Sequence, residues 1–139
     1  MAEHNELGQL GEIEAQNYLK KNGYIIRDVN WTAGSYEIDI VAQKDEWLVI
    51  VEVKTRKSRA FEQPEQAVNM RKIRHLVYAA EAYIRKFNWE GETRFDVITV
   101  VPVGQKFEVE HIEDAFLPPM NWKIKYSIKK KAEYYSAFF

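Results

Sequence analysis

Two consecutive apolar stretches decide the fold of this chain: SYEIDIVAQ at residues 35–43 and WLVIVEVKT at residues 47–55. The short polar connection between them predicts a tight hairpin turn near residues 44–46. In an extended strand successive side chains point to opposite faces, so residues two apart share a face. The charged residues of the two stretches are therefore expected to meet on one patch of a sheet.

Three carboxylates and one ammonium would crowd onto this patch. Glu37 and Asp39 point the same way in the first stretch, and Glu52 and Lys54 do so in the second. The hairpin would lay Asp39 roughly opposite Glu52. Burying such a group is expensive unless a cation holds it together, so we predict a divalent metal site. The competing interpretation is a solvent-facing strand surface with weak ion pairs.

The same residue types suit metal-assisted hydrolysis of a phosphodiester. Mg²⁺ (or Mn²⁺) takes carboxylate oxygens and waters as ligands, and the reaction needs an activated water and stabilisation of phosphate charge. We predict Asp39 and Glu52 as ligands, with the backbone carbonyl of Val53 as a third. Lys54 would orient the water and offset the charge of the phosphate. Glu37 is a supporting candidate, through a water or by pairing with a neighbouring cation.

A helix is predicted over residues 5–22, with Gly23 as its C-terminal stop. Glu12 lies at the edge of the apolar stripe of this helix. It could reach the sheet edge as an outer or second-metal ligand, or it could be an ordinary solvated glutamate.

The remaining pattern completes an α/β domain. It predicts a strand over 24–29, a turn over 30–34, a second helix over 65–87 with Met70 in its apolar stripe, and strands over 95–101 and 107–112. The order helix, three strands, helix, two strands implies a central mixed sheet flanked by helices. Arg94 and Asp96, at the entrance of the fourth strand, are interpreted as a structural ion pair.

Composition sets the class of protein. The 139 residues suit one domain, and an apolar share of 46% with a charged share of 29% is typical of a globular protein. The absence of cysteine excludes disulfides and thiolate sites. We see no stretch long enough to span a membrane and no signal-peptide pattern, so a cytoplasmic location is expected and a membrane partner is not.

Basic residues cluster beside the predicted acidic centre, although the formal net charge is only −1. They could bind a phosphate backbone, with DNA as the expected partner, or they could be a solvated face. The candidate nucleic-acid-binding residues are Arg56, Lys57, Arg59, Arg71 and Lys72.

The last part of the chain is expected to differ from the rest. We assign residues 1–118 to the α/β domain and residues 119–139 to a basic and aromatic extension. The extension would pack on the same domain or at a dimer interface, because exposed aromatic patches usually mark contacts. A two-fold homodimer is the natural way to cut two strands symmetrically.

Several motifs in order carry a family resemblance. They are GQLGE at 8–12, EIDI at 37–40, VEVKTR at 51–56, Lys72, and RFDV at 94–97. The chain resembles the YraN-like family of predicted endonucleases, in the PD-(D/E)XK nuclease superfamily and related to archaeal Holliday-junction resolvases. The resemblance covers residues 8–100 and implies a restriction-endonuclease-like fold, with Glu12, Asp39, Glu52 and Lys54 at the catalytic positions.

One departure from the family pattern concerns access to the site. Family members tend to carry glycine before the Glu-Ile-Asp run, where this chain has Tyr36. The function implied is a metal-dependent endonuclease acting on DNA, including branched or junction DNA, in repair or recombination. Two alternatives stay open: a nucleic-acid-binding accessory protein that keeps the nuclease fold without efficient cleavage, and a protein-interaction module.

Overall fold

The computed structural model describes residues 2–57 and 69–116. The first helix, α1 (Ala2–Lys21), ends where the sequence predicts. Gly23 has a φ of 86°, in the left-handed region that favours glycine. The N–H of Tyr24 then donates to the carbonyl of Leu19 at 2.9 Å, which closes the helix end and turns the chain into the sheet.

Five strands and a second helix follow. They are β1 (Ile25–Ala33), β2 (Tyr36–Lys44), β3 (Trp47–Thr55), α2 (Met70–Phe87), β4 (Glu92–Val103) and β5 (Lys106–Ile112). The strands form one sheet in the order β1-β2-β3-β4-β5. β3 and β4 are parallel, joined by the crossover that contains α2, and the other neighbours are antiparallel. The predicted α/β class with a central mixed sheet is confirmed.

The β2–β3 hairpin turns at the predicted place. Lys44 pairs with Trp47, and Asp45 between them has a φ of 54°. The register continues as far as Ile40 opposite Val51. Asp39 and Glu52 come directly after this last pair on the two strands, so both carboxylates lie at the same end of the sheet.

The apolar core has two layers, one on each side of the sheet. Ala15 and Leu19 of α1 pack with Val49 and Val51 on one side. On the other side, the amphipathic α2 buries residues that include Ile73, Leu76, Val77, Ala80 and Tyr83. Burial of these side chains fixes α1 and α2 on opposite sides of the strands that carry the charged residues.

Two predictions about local structure were wrong. The turn expected over 30–34 is largely strand, because Trp31, Thr32 and Ala33 pair with β2, and only Gly34 and Ser35 turn the chain. Met70, expected in the apolar stripe of α2, begins the helix directly after its Asn69 N-cap and is 58% exposed.

Other predictions lie outside the described residues. They concern Arg59, the first residues of the expected second helix, and the extension over 119–139. Within the described parts of the chain, no helix is long and apolar enough to cross a membrane.

Candidate metal centre

The site lies where β2 and β3 separate. Beyond the last backbone pair, the N–H of Val53 donates to Oδ2 of Asp39 at 2.8 Å. A carboxylate therefore takes the place that a backbone carbonyl would take in a continuous ladder. Since the strands part here, side chains from both helices can reach the gap.

Three carboxylates meet on the α1 side of this gap. Glu12 of α1 and Glu37 and Asp39 of β2 each bring one oxygen into a group whose atoms all lie within 4.8 Å of one another. Asn30 of β1 forms a side-chain hydrogen bond with Glu12 and stabilises its charged form. We call Glu12, Glu37, Asp39 and Glu52 the acidic cluster.

The backbone of α1 comes very close to β3 next to Glu12. A Cβ placed on Gly11 would overlap Oγ1 of Thr55 and lie 3.0 Å from the Cβ and Cγ2 of the same side chain. Only glycine permits this approach without movement of the helix or of Thr55. The approach brings Glu12, the next residue, within reach of β2.

Glu52 is the most buried member of the acidic cluster, at 3% exposure. Its Oε1 is 3.4 Å from Nζ of Lys54 and 3.5 Å from Nζ of Lys72, which reaches it from α2. Its Oε2 is also buried and has no hydrogen-bond partner among the described residues. One oxygen of Glu52 is thus neutralised by two ammonium groups, and the other is left available.

Burial and the closeness of like charges both raise the pKa of carboxyl groups in the acidic cluster. Burial first, and then the charge of Glu52, raises the pKa of Asp39 to about 7, against the lowering effects of the Val53 N–H and of Lys72. Burial also raises the pKa of Glu12, and the charges of Glu37 and Glu52 raise it further. The protein alone therefore does not compensate these carboxylates fully.

These residues fit a divalent cation. Converging carboxylate oxygens, a buried Oε2 of Glu52 without a partner among the described residues, and an Asp39 pKa raised by burial and by like charges are what an oxygen-ligated Mg²⁺ or Mn²⁺ site provides before the ion is added. Asp39 could bind the ion directly, whereas Glu52 lies outside the group of oxygens within 4.8 Å of one another, so its ligand role stays a prediction. Glu12 and Glu37 lie on the α1 side, where they could bind it through water.

The structure brings most of the predicted site residues together. Glu12, Glu37 and Asp39 converge, and Lys54 contacts Glu52. Val53 contributes its N–H to Asp39, and a ligand role for its carbonyl stays a prediction.

The basic residues around the site occupy two segments. Arg56 and Lys57 follow the end of β3, and the N–H of Arg56 donates to the carbonyl of Val100 at 2.9 Å. Arg71 and Lys72 lie in the first turn of α2, where Arg71 is exposed. Both segments flank the end of the sheet that carries the acidic cluster.

Two contacts were missed by sequence reasoning. Asn30 was given no role, although asparagine tolerates the left-handed region, and here its φ is 52°. Lys72 contacts Glu52, a pair that the sequence did not predict, and its role at a phosphate stays a prediction. The sequence distance of 20 residues between Glu52 and Lys72 offers no local signal for this pair.

A second charged cluster lies elsewhere in the sheet and has a different character. Asp96 is fully buried, and both its oxygens accept hydrogen bonds from Arg94, at 2.9 and 2.8 Å. Its Oδ2 lies 2.6 Å from Nε2 of His111, and its Oδ1 accepts the N–H of Asp114 at 3.1 Å. The predicted structural ion pair of Arg94 and Asp96 is confirmed.

The fold and the site thus define an α/β protein with a cluster of carboxylates where two strands of a mixed sheet part. A family model described as "Uncharacterised protein family UPF0102" matches residues 11–100, and the chain belongs to this family. The resemblance to the YraN-like family is confirmed at this level.

The match to relatives in the same family extends over nearly the whole length of each relative. A UPF0102 protein from Bacteroides thetaiotaomicron is 52% identical over 120 residues, which are 86% of this chain and 99% of the relative. One from Flavobacterium psychrophilum is 48% identical over 116 residues, 84% of this chain and 98% of the relative.

A solved structure described as "Crystal structure of SSO0001" is similar with a TM-score of 0.38 and 15% identity, over 80% of this chain and 52% of that chain.

Proposed function

We propose that this protein is a metal-dependent endonuclease that hydrolyses phosphodiester bonds in DNA. The observation that carries the proposal is the state of Glu52: a buried carboxylate with two lysines on one oxygen and no partner among the described residues for the other. A structural carboxylate would have both oxygens paired. A buried oxygen kept free on a carboxylate whose charge raises the pKa of Asp39 suits a ligand that is a cation.

Each residue of the acidic cluster has a role in this proposal. Asp39 and Glu52 bind the cation, and the Val53 N–H holds the Asp39 carboxylate in position. Glu12, oriented by Asn30, and Glu37 hold waters on the α1 side. When bound, Mg²⁺ would lower the pKa of a water and stabilise negative charge on the phosphate.

Lys54 contacts the paired oxygen of Glu52. Its ammonium group lies 3.4 Å from Oε1 of that residue and its side chain is partly exposed, so it can turn towards a phosphate. There it would orient the attacking water and offset developing charge. The basic residues after β3 and at the start of α2 would hold the phosphates on either side of the cut.

The test is metal-dependent cleavage by the wild type and by Asp39→Asn. We expect cleavage of a branched or single-stranded DNA in Mg²⁺ or Mn²⁺, no cleavage in chelator, and a loss of at least about 100-fold in Asp39→Asn, the upper end of what lost metal-site contacts cost. The matched control is Asp45→Asn, the same substitution on the exposed turn of the same hairpin, about 20 Å along the strand.

The other outcomes separate the alternatives. DNA binding that weakens with salt but is never followed by cleavage in any metal indicates the accessory binding protein. Failure to bind nucleic acid at low salt contradicts both and leaves the protein-interaction module. Equal cleavage by Asp39→Asn and wild type contradicts the assigned site.

A further inference from the structure

Three aromatic side chains form a surface on the α2 side of the sheet, at the end where the acidic cluster lies. The ring of Tyr36 stacks on His75 of α2, with centroids 4.2 Å apart and planes 19° from parallel. It also contacts Tyr78, edge-on at 5.2 Å and 79°. Tyr78 is 47% exposed, and Tyr36 and His75 are half-buried. We call these three residues the aromatic surface.

The aromatic surface is joined to the acidic cluster through both elements that form it. Tyr36 directly precedes Glu37 at the start of β2. On α2, His75 lies one turn after Lys72, the residue that reaches Glu52. From Tyr36 to Asp39 is three residues, about 10 Å along an extended strand.

The N-terminal half of α2, which carries two of the three rings, is cationic. Arg71, Lys72 and Arg74 lie in its first two turns, and the first acidic side chain of the helix is Glu81, one turn after Tyr78. Arg71 and Arg74 are exposed, and each lies about one turn before a ring of the aromatic surface, Arg71 before His75 and Arg74 before Tyr78. Aromatic rings interleaved with cations are the chemistry that binds a single nucleic-acid strand, with bases on the rings and phosphates on the cations.

We propose that the aromatic surface stacks an unpaired base next to the cut, so that the protein selects nucleic acid with a single-stranded segment over continuous duplex. The inference rests on the proposed function and names its substrate class. In a duplex the faces of each base are covered by its neighbours, whereas an unpaired base can place its face on a ring. At about 3.4 Å per nucleotide, the stacked base lies within about three nucleotides of the acidic cluster.

A partner protein is the rival occupant of this surface, and the charges favour nucleic acid. An apolar protein contact would gain nothing from the arginines and lysine that surround the rings, while a phosphate backbone would.

The test measures binding without cleavage. The probes are a blunt DNA hairpin whose stem is closed by a non-nucleotide linker, so that it contains no unpaired base, and the same hairpin with a short single-stranded arm that carries 2-aminopurine, a base whose fluorescence falls when it stacks. Binding is followed in chelator at one fixed salt concentration, so the metal site plays no part. We expect the wild type to prefer the armed hairpin and to quench 2-aminopurine near the junction.

The variants use the exposed member of the aromatic surface, because its loss leaves the core intact. Tyr78→Ala should weaken binding to the armed hairpin about tenfold, as expected for a lost base stack, and leave the blunt hairpin unchanged. Tyr78→Phe, which keeps the ring, should restore it. Phe87→Ala is the matched control, an exposed aromatic at the far end of α2.

Equal affinity for the two hairpins, or an equal loss for both in Tyr78→Ala, would overturn the stacking proposal. Cleavage that is metal-dependent but indifferent to the arm and to Tyr78→Ala would overturn it while leaving the endonuclease in place. A preference for the arm in a protein that never cleaves would support stacking and contradict the endonuclease.

Discussion

The acidic cluster and the Arg94–Asp96–His111 cluster both contain buried carboxylates of the same sheet, and they differ in how completely those carboxylates are paired. Asp96 has two hydrogen bonds from Arg94, one contact with His111 and one backbone N–H. Asp39 has one backbone N–H and three carboxylate neighbours, and Glu52 has a buried oxygen without a partner among the described residues.

The difference separates a structural carboxylate from a ligand. A buried charge that is fully paired within the protein holds the fold together and has nothing left to bind. A buried charge that is left partly unpaired costs stability until something else pairs it. The same substitution at the two aspartates should therefore have opposite effects on the free energy of unfolding.

The largest effect is expected at Asp96. Asp96→Asn removes the charge that Arg94 faces while the guanidinium stays buried, so the free energy of unfolding should fall by about 3–5 kcal/mol. Urea denaturation would measure it. Asp45→Asn, on an exposed turn, is the control and should change stability by less than about 0.5 kcal/mol. A similarly small change at Asp96 would remove the distinction between the two clusters.

A smaller loss is expected where α1 meets the acidic cluster. Gly11→Ala places a methyl group against Thr55 and should destabilise by about 1–3 kcal/mol, while moving Glu12 away from Asp39. Gly8→Ala is the matched control, because nothing lies within 4 Å of a Cβ there, and alanine in a helix should stabilise by about 0.5–1 kcal/mol.

The rescue variant is Gly11→Ala with Thr55→Ala. It removes the Thr55 atoms that lie nearest to the new methyl group, so it should regain part of the lost stability. Thermal unfolding would measure the gain. No recovery would place the cause of the loss elsewhere than in this contact.

Added metal should stabilise the protein through the acidic cluster alone. With a dissociation constant of about 1 mM, 10 mM Mg²⁺ contributes about 1.4 kcal/mol. Thermal unfolding with and without Mg²⁺ would show a rise in Tm for the wild type and for Asp45→Asn, and none for Asp39→Asn. A rise that survives in Asp39→Asn would mean that the ion binds elsewhere.

The smallest effect is a gain of stability on removing a site residue. Without metal, Asp39→Asn should stabilise by on the order of 1 kcal/mol at pH 8, since the amide keeps an acceptor for the Val53 N–H and loses the repulsion. The raised pKa fixes the pH dependence. The ordinary pKa of an aspartate is 3.8, and that of Asp39 in the folded protein is about 7. Between these two pH values the unfolded chain has lost a proton that the folded protein keeps, so the wild type is progressively destabilised as pH rises.

The advantage of Asp39→Asn should accordingly be absent below about pH 4, grow across this window and stay constant above about pH 7. Denaturation midpoints of both proteins over pH 4–8 would measure it. A gain that shrinks as pH rises would contradict the raised pKa.

Much of this could be predicted from the sequence because it depends on local rules. The period-two spacing of Glu37 with Asp39 and of Glu52 with Lys54, and the short connection between the strands, fixed the hairpin and its register. Gly23 ended α1 because few other residues take its φ. The order of elements was enough for a mixed sheet between helices.

The sequence by itself therefore determined which carboxylates share a hairpin and which end of it they occupy. Only the tertiary structure decided which groups from other elements contact the buried carboxylates: Asn30 at Glu12, Lys72 at Glu52, and His111 at Asp96. These contacts join residues of different elements, and they depend on how closely two helices pack on the sheet, which no local pattern specifies. The same packing leaves Asp96 fully hydrogen-bonded and leaves Glu52 with one buried oxygen that has no partner among the described residues.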